Sequence, residues 1–339
     1  MMRRRDFLLA CGAAVATAGC NQPATRGPGV VERLDPALDA LIDPAVQAEV
    51  LGEGYGWSEG PAWDRDRMCL YFTDVPGNTA YRWAPDDGVG VFLDPSGIPR
   101  EQAGGFREPG ANGLWYAGNG HLLVCNHGRR AIERLDVASG RRTVVADRFA
   151  GEPFNSPNDL VQARDGTIYF TDPPYGLEGL DASPLKRQDA NGVYRIAPDG
   201  GVMRLAADMT FPNGIALSPD EHSLYVAQSD SAAQQIRRFE LDGAGGVRDA
   251  GVWFDASRFA GEGQPGLPDG MAVSADGHVF ATGPGGVLVL SPEGQCLGRI
   301  LTGRATANCA FGGDGSDLFI TAHDRLLRLP TRVRGVQWN

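Results

Sequence analysis

Four oxygen-bearing side chains of this 339-residue chain recur inside one short phrase. They are Glu59 in Ser58-Glu59-Gly60-Pro61, Asn158 in Pro157-Asn158-Asp159-Leu160, Asn213 in Pro212-Asn213-Gly214-Ile215 and Asp269 in Pro268-Asp269-Gly270-Met271. Two carboxylates and two carboxamides brought to one point form an all-oxygen donor set, which suits a hard divalent cation such as calcium better than a thiophilic metal. The carboxylates would balance the charge, the amides would add neutral oxygens, and positions left to water would give room to a reacting molecule. No HExxH or Cys/His zinc pattern competes. Two further phrases, Ala111-Asn112-Gly113-Leu114 and Ala307-Asn308-Cys309-Ala310, complete a set of six. Asparagine forms turns on its own account, so Asn112 and Asn308 read equally well as turn residues; Glu59 does not, because glutamate is a poor turn former.

Residues so far apart in sequence meet only if the elements carrying them surround a common axis. Each phrase leads into a turn and then a short alternating apolar run, at 69–74, 122–125, 168–171, 224–227, 279–282 and 318–321. A period of two bounded by breakers reads as a strand. The central polar residues recur at intervals of roughly forty to fifty-five positions, the size of one four-stranded blade. The pattern predicts an all-β chain, a six-bladed β-propeller with four-stranded blades over residues 47–335, whose innermost strands line an axial channel. The proline before Asn158, Asn213 and Asp269 removes backbone freedom near the site. The glycine after Glu59, Asn112, Asn213 and Asp269 permits close backbone approach or positive φ. The 47 glycines and 23 prolines suit many tight turns. Helical periodicity is confined to residues 38–50, read as a short helix or coil.

The first nineteen residues read as an export signal. Arg3-Arg4-Arg5-Asp6-Phe7-Leu8 resembles a twin-arginine signal, and the small apolar stretch at 9–19 is too short to cross a membrane. Thr17-Ala18-Gly19-Cys20 resembles a bacterial lipobox with Cys20 as the lipidated residue, although Thr17 stands where leucine is favoured. These features predict an exported bacterial protein, periplasmic or membrane-anchored through the lipid alone, with residues 20–46 as linker and short N-terminal segment. Removing residues 1–19 takes away three arginines and one aspartate, so the formal charge of −11 becomes −13. Such an acidic body is not made for nucleic acid. Cys69, Cys125, Cys296 and Cys309 lie in or beside apolar runs without a paired framework, so buried free thiols are expected.

Taken together, Glu59-Gly60-Pro61-Ala62-Trp63, Phe154-Asn155-Ser156-Pro157-Asn158-Asp159, Tyr169-Phe170-Thr171-Asp172-Pro173-Pro174-Tyr175-Gly176, Phe211-Pro212-Asn213-Gly214, Pro268-Asp269-Gly270-Met271 and Asn308-Cys309-Ala310-Phe311-Gly312-Gly313 carry a resemblance. They resemble the gluconolactonase, senescence marker protein and luciferin-regenerating enzyme family of six-bladed propellers. The resemblance implies one divalent cation on the axis, most often calcium, with zinc, manganese or magnesium as alternatives, and hydrolysis of lactones. By motif it implies Glu59, Asn213 and Asp269 as metal ligands, with Asn158 as a fourth ligand or a substrate contact. The run Asp172-Pro173-Pro174-Tyr175 is similar to the bacterial gluconolactonase subgroup. Two positions depart from the family. Ser156 stands where the animal branch has arginine, and Asn126 stands where the subgroup usually has glutamate.

On that footing the expected reaction is the opening of an aldonolactone by water to give an aldonic acid. Asp269 is assigned as ligand and general base, Glu59 as metal holder, and Asn158, His127, Asn112 and Tyr175 as substrate contacts. His127 reads either as a residue that orients substrate or moves a proton, or as a polar loop residue. Tyr175, Trp57 and Phe154 either wall the pocket or pack the blades. No GxSxG elbow occurs, which argues against a serine triad. The alternatives are phosphotriester or aryl-ester hydrolysis at the same site, a non-catalytic propeller stapled by calcium, and, more weakly, a quinone-dependent sugar dehydrogenase.

Overall fold

The computed structural model describes residues 28–243 and 245–338. The signal-like residues 1–19 and the lipidation candidate Cys20 lie outside the described residues. Among the described residues, six of the seven antiparallel sheets are blades that follow one another along the chain, each built from the axis outward, and the seventh is the small hairpin of Arg148–Phe149 and Glu152–Pro153. Blade 1 holds Ser58–Asp64, Cys69–Asp74, Thr79–Ala84 and Gly88–Leu93. Blade 2 holds Ala111–Gly118, His121–Asn126, Ala131–Asp136 and Arg142–Ala146. Blade 3 holds Leu160–Gln162, Ile168–Asp172, Gly192–Ile196 and Val202–Ala206. Blade 4 holds Pro212–Leu217, Ser223–Gln228, Gln235–Leu241 and Val247–Asp255. Blade 5 begins with Met271–Val273, Val279–Gly283, Gly286–Leu290 and Cys296–Leu301, and blade 6 with Asn308–Gly312, Asp317–Ala322 and Arg325–Pro330. Each innermost strand contacts the innermost strand of the next blade, and that of blade 6 contacts that of blade 1. The ring of six four-stranded blades is closed.

Closure uses the N-terminal end of the described chain. Glu49–Glu53 pairs antiparallel with Arg325–Pro330 and supplies the outermost strand of blade 6. Blade 6 is thus assembled from both ends of the propeller sequence, and its edge is covered. Part of the segment 20–46 also packs on the propeller. Val30–Arg33 adds a fifth strand to blade 5 beside Cys296–Leu301. Leu38, Leu41 and Ile42 are buried in the apolar cluster between blades 5 and 6. The stretch 38–50, read as a short helix or coil, starts within one 3₁₀ turn, Pro36–Ala40, capped by Asp35 Oδ1, which accepts the Ala37 N–H at 2.8 Å, and continues as turns and coil. Pro44 cannot donate a helical N–H, and the chain turns into strand by Glu49.

The core lies between neighbouring blades rather than at the centre. Leu123, Cys125 and Ile132 of blade 2 meet Phe154, Leu160, Phe170 and Tyr194 on the blade 3 side. Trp63 of blade 1 stacks on Phe319 of blade 6, with ring centroids 5.4 Å apart, across the closing seam. Phe154 is fully buried, 5.0 Å by ring centroid from Phe170. Of its two readings, blade packing is the one the structure gives. Cys69, Cys125, Cys296 and Cys309 are buried free thiols. This packing leaves the axis lined by the polar starts of the innermost strands.

Candidate functional site

Each of the six phrases opens an innermost strand at the same end of the channel. Glu59, Asn112, Asn213 and Asn308 lie within the first two residues of their strands, and Asn158 and Asp269 lie two residues before theirs. Threonines on the second strands fix this register. Thr73 Oγ1 donates to Asn112 O at 3.1 Å and Thr171 Oγ1 to Asn213 O at 2.7 Å. Thr282 Oγ1 is 3.0 Å from Gly270 O and 3.2 Å from Ala307 O, and Thr321 Oγ1 donates to Asn308 O at 3.2 Å. The glycines let neighbouring strands close on one another. A Cβ on Gly113 would lie 2.6 Å from Asn158 O, and one on Gly214 would lie 2.6 Å from the carbonyl carbon of Asp269. Only a strand start without a side chain passes there.

The quartet converges with unpaired oxygens. Asn158 Oδ1, Asn213 Oδ1 and Asp269 Oδ1 are enclosed and accept no hydrogen bond from the described residues. Each such atom costs roughly 1–3 kcal/mol when nothing satisfies it. One of the orientations is forced. Ser229 Oγ donates its single proton to Pro268 O, so it receives the Asn213 Nδ2–H at 2.9 Å. That leaves the Asn213 oxygen, not its nitrogen, as the free end. Glu59 Oε2 accepts the Gly60 N–H at 2.5 Å and the Asn308 Nδ2–H at 3.3 Å. Burial, then the charge of Asp159, pushes the Glu59 carboxyl above its ordinary range. Burial, then the charges of Glu59 and Asp159, pushes Asp269 well up. Two carboxylates crowded in a poorly hydrated space, beside two unpaired amide oxygens, fit a hard cation. Among the described residues no three His, Cys, Asp or Glu side chains gather as a metal cluster, in keeping with a donor set that is half carboxamide.

Two residues of this region escaped the sequence reading. Asp159 is buried and pushed up to about 6 by desolvation. Its Oδ1 accepts the Leu160 N–H at 2.9 Å and its Oδ2 the Asn308 Nδ2–H at 3.3 Å. Asn308 therefore bridges Glu59 to Asp159 across the axis and is more than a turn. The available signal was that the position after the central residue holds a charge in this phrase alone. Glu108 comes from the loop 94–110 between blades 1 and 2, where no motif marked it. Its carboxylate acts electrostatically on both Glu59 and Asp269.

The same end is covered by two loops that hydrogen-bond to each other. Arg107 N–H and Glu108 N–H donate to Gly176 O at 3.0 and 3.3 Å, and Glu178 N–H donates to Gly105 O at 2.9 Å. Tyr175, from the second loop, stacks on Phe211 with centroids 5.5 Å apart and donates its hydroxyl to Ser229 O at 3.4 Å. Burial and the neighbouring Asp269 push its phenol far up, so it is a neutral donor. Trp57 lies edge-on to His323, 5.5 Å away. His127 is fully buried, its Nε2 3.2 Å from Asn112 Nδ2 and its Nδ1 3.8 Å from Glu108 Oε2. The structure thus brings Glu59, Asn158, Asn213, Asp269, Asn112 and Tyr175 to one end and sets His127 behind Asn112. A separate cavity of about 460 Å³ occupies the other end of the axis, lined by the far halves of the innermost strands, with Asp159 and Asn308 at its inner end.

Known proteins resemble this chain in sequence and in fold. Residues 57–324 match the SMP-30/gluconolactonase/LRE-like region. A gluconolactonase of Zymomonas mobilis is 42% identical over 314 residues, covering 91% of this chain and 87% of the relative. A 6-deoxy-6-sulfogluconolactonase of Pseudomonas putida is 30% identical over 286 residues, covering 81% and 84%. The solved structure of a gluconolactonase from Xanthomonas campestris superposes with a TM-score of 0.77 at 34% identity, covering 90% of this chain and 96% of that one.

Proposed function

The chain belongs to the SMP-30/gluconolactonase/LRE-like family, and from that premise we propose that it opens sugar lactones at a divalent cation held on the propeller axis. Lactone hydrolysis follows the names of the relatives; the cation follows the site. The observation that carries the reading is the meeting of two buried-edge carboxylates, Glu59 and Asp269, with the unpaired amide oxygens of Asn158 and Asn213. Calcium is the cation such oxygens suit best, with zinc, manganese and magnesium as alternatives. When bound, it supplies Lewis-acid polarisation of the lactone carbonyl.

The protein's own groups do the rest. Glu59 is held by Gly60 N–H and Asn308 and serves as a fixed ligand. Asp269 has an unpaired Oδ1 and a carboxyl of raised proton affinity, both of which suit it to take a proton from the attacking water. The new bond joins that water oxygen to the carbonyl carbon, the ring C–O bond breaks, and the ring oxygen leaves as a hydroxyl after receiving the proton. Tyr175 and Asn112 are placed to hold ring hydroxyls, and the joined loops exclude bulk water. The test is hydrolysis above the spontaneous rate by metal-stripped protein, reloaded with calcium, zinc, manganese or magnesium, across aldonolactones, aryl esters and phosphotriesters. We expect aldonolactone turnover that disappears on chelation and returns with one cation. Undiminished turnover after stripping overturns the cation, and a preference for phosphotriesters overturns the lactonase.

Export and lipid anchoring remain part of the proposal, supported by the sequence of residues 1–20. Cell fractionation should place the protein with membranes, and Cys20→Ser should release it; a soluble cytoplasmic wild type would refute the export reading.

A further inference from the structure

The reaction above gives Asn112 a hydroxyl to hold but does not say which end of its carboxamide does the holding, and it leaves Glu108 and His127 unused. We propose that Glu108 and His127 are positioning residues that turn the Asn112 carboxamide oxygen toward the substrate, making Asn112 an acceptor for a hydroxyl of a polyhydroxylated lactone. The proposal rests on the lactonase reading and specifies how that site selects its substrate.

The argument is a chain of donor and acceptor constraints. Between Asn112 and His127 Nε2 there are two possible pairings. If the Asn112 oxygen faced Nε2, that nitrogen would carry the proton, and Nδ1 would turn a lone pair toward the Glu108 carboxylate 3.8 Å away. Lone pair against carboxylate is repulsive. In the other pairing Asn112 Nδ2 donates to Nε2 across 3.2 Å and the ring proton sits on Nδ1, where the Glu108 carboxylate 3.8 Å away attracts it. Glu108 thus selects the tautomer, and the tautomer selects the amide orientation. Asn112 Oδ1 is then the free end, with no hydrogen-bond partner among the described residues.

The imidazole is held in place and stays neutral. A Cβ on Gly176 would lie 2.8 Å from His127 Cβ and Cγ, so the loop carrying Tyr175 packs directly against the base of the imidazole. The backbone is pinned as well, since His127 N–H donates to Gly110 O at 3.2 Å and His127 O accepts Arg130 N–H at 3.1 Å. Asn112 is held through its own carbonyl by Thr73. Burial pushes the imidazole down to about 3, so it does not gain a second proton in the neutral range. Glu108 N–H donates to Gly176 O, which ties the selecting carboxylate to the same loop.

Two measurements test the proposal. In ¹⁵N-labelled wild-type protein, long-range imidazole couplings should show Nδ1 protonated and Nε2 bare. His127→Gln, which keeps an acceptor at the Nε2 position, should hold KM for gluconolactone near the wild-type value. His127→Asn and His127→Leu, which remove that acceptor, should raise it about threefold to tenfold, the worth of one neutral hydrogen bond, with kcat little changed. Unsubstituted δ-valerolactone has no hydroxyl to place, so its KM should not move in any variant. A proton on Nε2 of the wild type, no rescue by glutamine, or equal losses on both lactones would overturn the positioning role. If His127→Leu does not fold, judged by its thermal melt, the comparison of glutamine with asparagine still decides. A wild type that opens no lactone defeats the activity reading, and the tautomer then decides the positioning pair by itself.

Discussion

Gly214→Ala tests whether the site depends on the close approach of neighbouring strand starts. Gly214 has no positive φ, so alanine there meets no backbone strain and the effect is purely steric. The added methyl would stand 2.6 Å from both the Asp269 carbonyl carbon and Gly270 Cα, and closer still to Asp269 O. Ordinary carbon–carbon contacts lie at about 3.5–4.0 Å, so the strand start bearing Asp269 must retreat by roughly 1 Å. Overpacking of this kind costs about 1–3 kcal/mol of stability. A displacement of about 1 Å at a catalytic group costs about a hundredfold in rate. We therefore expect a lower melting temperature and a fall of about two orders of magnitude in kcat/KM for an aldonolactone. Gly90→Ala is the control, because a Cβ there meets nothing within 4 Å. A Gly214→Ala protein with wild-type turnover and melting would refute the idea that the glycines exist to bring these strands together.

Two further outcomes follow from the same geometry. Burial raises Asp159 to about 6 and Asp172 to about 7, and raises Glu59 and Asp269 in the same sense. Carboxyls whose folded pKa exceeds the unfolded value stabilise the protein below the unfolded pKa and lose that contribution as pH rises through the folded one. The melting temperature of metal-stripped protein should thus fall from about pH 4 to above pH 7, and calcium should flatten the slope; a rise over that window would contradict the electrostatics described for the axis. Ser229→Ala removes the acceptor that fixes the Asn213 carboxamide, so calcium affinity measured by calorimetry should weaken about threefold to tenfold while the fold persists. Unchanged affinity would show that Asn213 is oriented by something else.

What could be read from the sequence and what could not divide along one physical line. Properties that repeat within a blade were legible, because period and spacing are local. The alternating runs gave the second strands, the recurring phrase gave the starts of the innermost strands, and the count of phrases gave the ring. The glycines after the central residues could be assigned close approach or positive φ for the same reason, though which of the two, and which strand they approach, could not. Contacts that cross blades leave no local pattern. Asn308 lies 149 positions from Asp159 and 249 from Glu59, yet one amide joins all three. Its phrase looked like an echo because its partners belong to blades 1 and 3. The two strands drawn from the N-terminal end of the described chain, Val30–Arg33 and Glu49–Glu53, were hidden in the same way. Short, polar at their edges and separated by a stretch holding Pro36 and Pro44, they carry no repeat and become strands only because blades 5 and 6 offer unpaired edges. His127 shows the limit most sharply. Its role is set by Glu108 on one side and Asn112 on the other, and Gly176 packs against the base of its ring. Residue type alone left it between catalyst and bystander, and three neighbours from two loops and a strand start decide which nitrogen carries the proton.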